Sequence, residues 1–162
     1  MNKDYRIGFG FDVHELVENR KCILGGVEIE SALAPLGHSD ADVLSHAIAD
    51  AILGACALPD IGYYFPNTSK DCENMDSQDI IKRAILEIEK KGFVLVNIDS
   101  TLISETPKIS PHLSRMKEAL SKTTNLSVDD IGIKATTNEK LGFIGRKEGI
   151  AAHAVCMIKP KE

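Results

Sequence analysis

Asp12 and His14 flank Val13 in the segment RIGFGFDVHELV, residues 6 to 17. On an extended backbone alternate side chains share a face, so the carboxylate and the imidazole stand together and Val13 points the other way. His46 has the same chemistry and lies four residues after Asp42 and four before Asp50. That spacing puts the three on one stripe of a helix. Two imidazoles and one carboxylate suit zinc and can leave a coordination position open for a substrate. Ligands carried on a strand and a helix would be held in fixed geometry. The same residues also have a plainer reading, with His46 packed in a helix, Asp42 favouring the positive helix end and Asp50 on the surface. If His46 ligates, Asp42 or Asp50 is the expected partner of its other ring nitrogen. Nothing in the spacing alone brings strand and helix together.

A second polar group lies in GIKATTNEKLGFIGRKEGI, residues 132 to 150, just beyond a strand. The hydroxyls of Thr136 and Thr137 and the backbone donors near Asn138 suit phosphate oxygens, and Glu139 suits a magnesium that bridges them. Gly142 and Gly145 surround Phe143, and Arg146 offers a directed cationic fork. The arrangement is not a Walker loop, and its alternative is a capped turn. A third polar turn, ISETPKISP at residues 103 to 111, reads either as a loop fixed by Pro107 and Pro111 or as an anionic or heterocyclic site around Lys108. His112 and His153 are weaker candidates, the latter in an alternating terminal strand.

These groups need elements to hold them. A strand is expected over residues 5–16 and a second strand or hairpin near 22–30. SALAPLGHSDADVLSHAIADAILGACALPD then changes to a helical period, with Ser39 or Asp40 near the N-cap and Pro59 as a stop. DIGYYFPNTSKDCEN reads mostly as loop. A second helix spans 77–91, where Ile80, Ile81, Ala84, Ile85 and Ile88 form an apolar face. FVLVNIDSTLIS is a strand, residues 112–123 a third helix, and IGIKATT and GIAAHAVCMI close the chain as strands. Strands buried on one side suit an α/β or α+β sandwich, a mixed sheet with helices over one face.

Its 162 residues suit one domain, 1–162, with a real core. With 19 Lys plus Arg against 24 Asp plus Glu, the net charge of −5 gives no attraction to nucleic acid or an anionic membrane. A phosphate ligand must therefore find local cations, metals or backbone donors. Cys22, Cys56, Cys72 and Cys156 are widely spaced, with no CxxC pair, and read as thiols rather than a disulfide framework. No secretory leader or membrane-length apolar run is visible, so a cytoplasmic protein is expected.

The ordered set RIGFGFDVH, GGVEI, GHSDADVLSHAIADAILGA, LPDIGYYFPNTS, TPK and KATTNEKLGFIGRKEGIAAHAV spans nearly the whole chain. It closely resembles the 2-C-methyl-D-erythritol 2,4-cyclodiphosphate synthase family of non-mevalonate isoprenoid synthesis. The resemblance implies that Asp12, His14 and His46 bind a divalent metal, usually zinc, and that Glu139 binds magnesium or manganese. It implies transition-state stabilisation by His38 and Thr137, with His38 and Ser39 at phosphate. Asp12, Val13 and His14 would also border the substrate, as would Asp60, Ile61 and Gly62. Phe65, Pro66, Asn67, Thr68 and Ser69 would continue that wall. The cytidine pocket maps onto Ser104, Glu105, Thr106, Pro107, Lys108, Ile109 and Ser110, and onto Ala135, Thr136, Thr137, Asn138 and Glu139. Phe143 and Arg146 match nearby ligand contacts. This chain departs from the family at Ser104–Ile109, where an AxAPKM run is common. It also has Asn138 for a common threonine and Asn67 for a common aspartate.

The implied subunit is ferredoxin-like, in a homotrimer whose active sites lie between subunits. The implied enzyme is a phosphorus–oxygen lyase that cyclises 4-diphosphocytidyl-2-C-methyl-D-erythritol 2-phosphate and releases CMP. The alternatives are another metal-dependent phosphate-transfer enzyme and a non-catalytic nucleotide-binding homologue.

Overall fold

The computed structural model describes residues 4–66, 68 and 75–161. The first strand, β1 (Arg6–Glu18), alternates between buried and exposed positions as its sequence does. A hairpin follows, β2 (Cys22–Leu24) and β3 (Val27–Ile29), turned by Gly25 and Gly26, both at positive φ. A short strand, β4 (Leu33–Pro35), precedes helix α1 (Val43–Ala55) and the single turn α2 (Ile61–Tyr64). Helix α3 (Ser77–Lys90), strand β5 (Phe93–Ile103), helix α4 (Leu113–Thr124) and strand β6 (Ile131–Thr136) come next. The turn α5 (Gly142–Gly145) and strand β7 (Gly149–Pro160) complete the described chain.

Five strands form one mixed sheet in the order β4-β1-β7-β5-β6. Only β5 and β6 pair in parallel, joined by α4, and the remaining neighbours are antiparallel. The expected sheet with helices over one face is present. Beneath it, Leu44, Ile48 and Ile52 of α1, Ile81 and Ile88 of α3, and Met116 and Leu120 of α4 pack in one core with Ile98, Leu102, Ile131 and Ile158. Helix α1 is apolar nearly all round because it lies between the sheet and α3.

Two glycines set how closely α1 approaches the sheet. A methyl group added at Gly8 would lie 1.8 Å from the Ala51 carbonyl oxygen, and one at Gly10 would lie 1.9 Å from that of Ala47. The helix therefore rests on bare strand backbone. Gly8, Gly10, Asp12 and His14 share this inner face. The glycines of the first segment thus bring His46, beside Ala47, within reach of Asp12.

The opposite face carries Ile7, Phe9, Phe11 and Val13 of β1 and Val155 of β7, each between 41% and 69% exposed. His153 packs between the rings of Phe9 and Phe11, at centroid distances of 5.8 and 4.9 Å.

One sequence expectation needs correction, and two short elements fall outside the expected set. Asp42, rather than Ser39 or Asp40, caps α1 and receives the Ser45 N–H, since the SDAD run offers several capping residues and only Asp42 sits at the turn. Strand β4 precedes the expected helix, in residues for which the sequence predicts no strand; three residues are too few to show a period of two. The DIGYYFP stretch contains α2, a single helical turn. Cys22, Cys56 and Cys156 are buried free thiols, whereas Cys72 lies outside the described residues. Among the described residues, no helix is long and apolar enough to cross a membrane.

Candidate metal centre and flanking cavities

Strand β1 presents Asp12 and His14 on the face that meets α1, and α1 supplies His46. Asp12 Oδ2 lies 2.9 Å from both His14 Nε2 and His46 Nδ1, and the two nitrogens are 3.3 Å apart. Zinc bonds of about 2.0–2.1 Å in tetrahedral geometry put ligand atoms roughly 3.3 Å from one another, so the spacing fits a small divalent cation. Among the described residues this is the one cluster of three or more such groups. The remote ring nitrogens fit as well. His14 Nδ1 is 2.7 Å from the Leu36 carbonyl oxygen, which can only accept, so the hydrogen of the neutral ring belongs on Nδ1 and the lone pair on Nε2.

Burial alone would raise the Asp12 pKa, but hydrogen bonds and charge from His14 and His46 overcome it and hold the carboxyl at about 2. Burial pulls His14 down, and the hydrogen bond and charge of Asp12 more than reverse this, leaving it raised. A proton thus favours the same spot that a cation would.

Neither acid expected to orient His46 does so. Asp42 is fully buried and accepts N–H bonds from Gly25 at 2.9 Å and Gly26 at 2.8 Å, plus the Ser45 hydroxyl at 2.7 Å. It ties the hairpin turn to α1, and burial raises its pKa. Asp50 accepts the Ile61 N–H at 2.8 Å and so holds the start of α2; burial raises its pKa as well. The second nitrogen of His46 instead meets Ser77 Oγ at 2.8 Å and Ser39 Oγ at 3.2 Å. Ser77 was not among the expected residues. It begins α3, 31 positions from His46, and only tertiary packing joins them.

The metal group borders a cavity of about 540 Å³ also lined by His38, Ser39, Asp60, Ile61, Gly62 and Phe65. Arg20 holds its rim, donating to the Gly37 carbonyl at 3.1 Å and the Ser39 carbonyl at 3.3 Å. Its role could not be read from a lone arginine in a polar turn. Asp60 makes no capping bond to α2. Val13 projects to the other sheet face, while Pro66 and Thr68 are exposed and do not line this cavity. Asn67 and Ser69 lie outside the described residues.

The other expected residues gather elsewhere. Ser104, Glu105, Pro107, Lys108, Ile109 and Ser110, with Ala135, Thr136 and Thr137, line a second cavity of about 520 Å³. The two lining sets share no residue. Thr106 precedes Pro107 through a cis peptide bond. Glu105 Oε1 accepts the N–H groups of Asn138 at 3.1 Å and Lys140 at 3.0 Å, fixing the turn that carries Glu139. Glu139 is exposed and accepts the Thr137 hydroxyl at 3.3 Å. Phe143 lies in α5, and Arg146 is engaged by Glu148 through two bonds of 2.9 and 3.1 Å. The structure brings neither Phe143 nor Arg146 to either cavity.

A family model, the YgbB family, matches residues 5–159. The chain belongs to the YgbB family. A relative of this family from Prosthecochloris aestuarii, a 2-C-methyl-D-erythritol 2,4-cyclodiphosphate synthase, is 51% identical over 156 residues, covering 96% of this chain and 99% of its own. The synthase from Chloroherpeton thalassium is 53% identical over 154 residues, covering 95% and 98%. Among solved YgbB-like structures, the bifunctional IspDF of Campylobacter jejuni superposes with a TM-score of 0.95 at 41% identity. That match covers 99% of this chain and 44% of the bifunctional one. The CDP complex of IspF from Plasmodium falciparum gives 0.86 at 35% identity and covers all of both chains.

Proposed function

We propose that this chain, one domain over residues 1–162, is a 2-C-methyl-D-erythritol 2,4-cyclodiphosphate synthase. In the reaction the 2-phosphate of 4-diphosphocytidyl-2-C-methyl-D-erythritol 2-phosphate attacks the β phosphorus. The α–β phosphoanhydride bond breaks, and CMP leaves with the bonding electrons. The observation that carries this reading is the Asp12–His14–His46 cluster at a cavity lined by His38, Ser39 and Asp60, in a chain of this family.

Asp12, His14 and His46 would hold zinc, and Glu139 magnesium or manganese together with the diphosphate. Bound there, such cations supply charge neutralisation and polarisation of phosphoryl oxygens. The nucleophile is tethered within the substrate, so no serine or cysteine nucleophile is required. The protein's task is to fold the substrate so that attacking and leaving oxygens face opposite sides of phosphorus. His38 and Ser39 serve a phosphate at one cavity, and Asp60 accepts from a sugar-alcohol hydroxyl. Lys108, the 104–110 turn and the 135–139 turn receive the cytidine portion, and Thr137 donates to phosphate oxygen.

Two features support a homotrimer of ferredoxin-like subunits with shared sites. The metal cavity and the nucleotide residues line different hollows of one chain, and the β1/β7 outer face is apolar and open. A neighbouring copy would cover that face and set one chain's nucleotide turn beside another's metal cluster.

The test is incubation with the cytidyl substrate, resolving CMP and the cyclic diphosphate together in metal-replete and metal-stripped samples. Equal amounts of both products, lost on stripping and restored by metal, are expected. Hydrolysis without a cyclic product would assign a different phosphate-transfer enzyme, and binding without turnover a nucleotide-binding homologue.

A further inference from the structure

His46 is asked to face two ways. Its Nδ1 stands on the side shared with Asp12 and His14, where a cation would sit. A ring nitrogen that gives its lone pair to a metal carries no proton, so the neutral imidazole must hold its hydrogen on Nε2. That N–H points into protein, since His46 is only 7% exposed, and it requires an acceptor.

Two hydroxyl oxygens are within reach, and they are not equivalent. Ser77 Oγ is the nearer at 2.8 Å, against 3.2 Å for Ser39. The Ser77 hydroxyl donates its own hydrogen to Asp40 Oδ1, and an ionised carboxylate can only accept. This leaves the lone pairs of Ser77 for the His46 N–H. Asp40 is held in turn, accepting the Ser77 N–H on Oδ2 at 2.9 Å and the Asp42 N–H on Oδ1 at 3.1 Å. Ser77 has no exposed surface and belongs to the first turn of α3, so the acceptor is carried on a packed helix. Ser39 is half-buried, lines the cavity and already receives the Ala41 N–H at 3.2 Å.

We propose that Ser77, oriented by Asp40, is the positioning residue that sets His46 in its Nε2–H form and aims Nδ1 at the metal, leaving the Ser39 hydroxyl to the substrate. The assignment rests on the metal-site reading above. It gives the centre an outer arm, His46–Ser77–Asp40, in which a hydroxyl is interposed between ligand and carboxylate. It also couples metal affinity to the seating of α3, which contributes no ligand of its own. Outer partners of this kind orient a ligating ring and sustain its basicity.

The experiment titrates metal-stripped wild type, Ser77→Ala and Ser39→Ala with zinc against a competing chelator, with circular dichroism and melting as checks of folding. A second readout follows solvent exchange of the His46 Nε2–H in zinc-loaded protein by nitrogen-15 NMR. Ser77→Ala is expected to keep its fold, lose about 10- to 100-fold in zinc affinity and exchange that hydrogen faster. Ser39→Ala should lose less. Threonine and valine at position 77 differ by a hydroxyl for a methyl at nearly constant shape, so Ser77→Thr should bind zinc more tightly than Ser77→Val even if the alanine variant fails to fold. Wild-type affinity in folded Ser77→Ala, or equal affinities for the threonine and valine variants, would overturn the assignment while leaving the metal site standing. A wild-type protein that binds no zinc would overturn both.

Discussion

At the scale of single residues, Asp12 and His14 tie folding to pH. Asp12 has a folded pKa of about 2 against an ordinary 3.8, so its contribution is present above about pH 4 and lost as pH falls through 2. His14 is raised above 6.5, so its contribution is complete below 6.5 and lost as pH rises through the folded value. Metal-stripped protein should therefore melt at lower temperature on the alkaline side of that step. Zinc held at the proposed site would take the place of the proton, so loaded protein should not show the loss, and zinc affinity should rise with pH. Parallel melts between pH 6 and 8.5 check this, and identical pH dependence with and without zinc would contradict it. Glu139 is open to an equally local test. Glu139→Gln preserves size but removes the charge suited to magnesium. Zinc content should stay unchanged while turnover falls on the order of 100-fold, partly recovered at raised magnesium. Unaltered turnover and magnesium dependence would remove Glu139 from the site.

Between elements, the decisive contact is the seat of α1 on the bare backbone of β1. Gly10→Ala would place a methyl group 1.9 Å from the Ala47 carbonyl oxygen, and backbone cannot yield as a side-chain tip can. The helix must lift, at a cost of about 3 kcal/mol, and His46 lifts with it. A fall in melting temperature together with weakened zinc binding is expected; destabilised protein with wild-type zinc affinity would mean the ligands do not depend on this seat. The pairing of Asp12 with His14 and most element boundaries were legible because they follow local rules: alternation along β1, a 3.6-residue period in α3, Pro and Gly at ends. His46 was joined to that pair only by the family resemblance. Ser77 and the true role of Asp42 were not legible. Their partners lie 31 and 17 positions away, and an aspartate in an SDAD run looks the same whether it caps a helix, orients a ligand or ties down a hairpin.

The whole molecule poses the question of which chain supplies which half of the site. If catalysis needs the metal cluster of one subunit and the nucleotide turn of another, defects in the two halves should compensate. His46→Ala and a disruptive substitution at Lys108, each assembled and nearly inactive alone, should release CMP above the sum of the separate proteins once refolded together. Mixed assemblies verified by mass, yet without recovered activity, would argue that each chain completes its own site. No sequence period could reveal such a division, because periodicity records which residues are buried and not whose surface buries them. The open face of β1 and β7 has a further consequence, for the life of a newly made chain. If a second copy covers this face, as proposed above, Ile7, Phe9, Phe11, Val13 and Val155 leave a greasy sheet surface in contact with water until it arrives. Clumping is then the rival of assembly, and both quicken as chains become more crowded. Synthesis rate and chaperone supply, as much as the strength of the finished fold, would set how much usable protein a cell obtains.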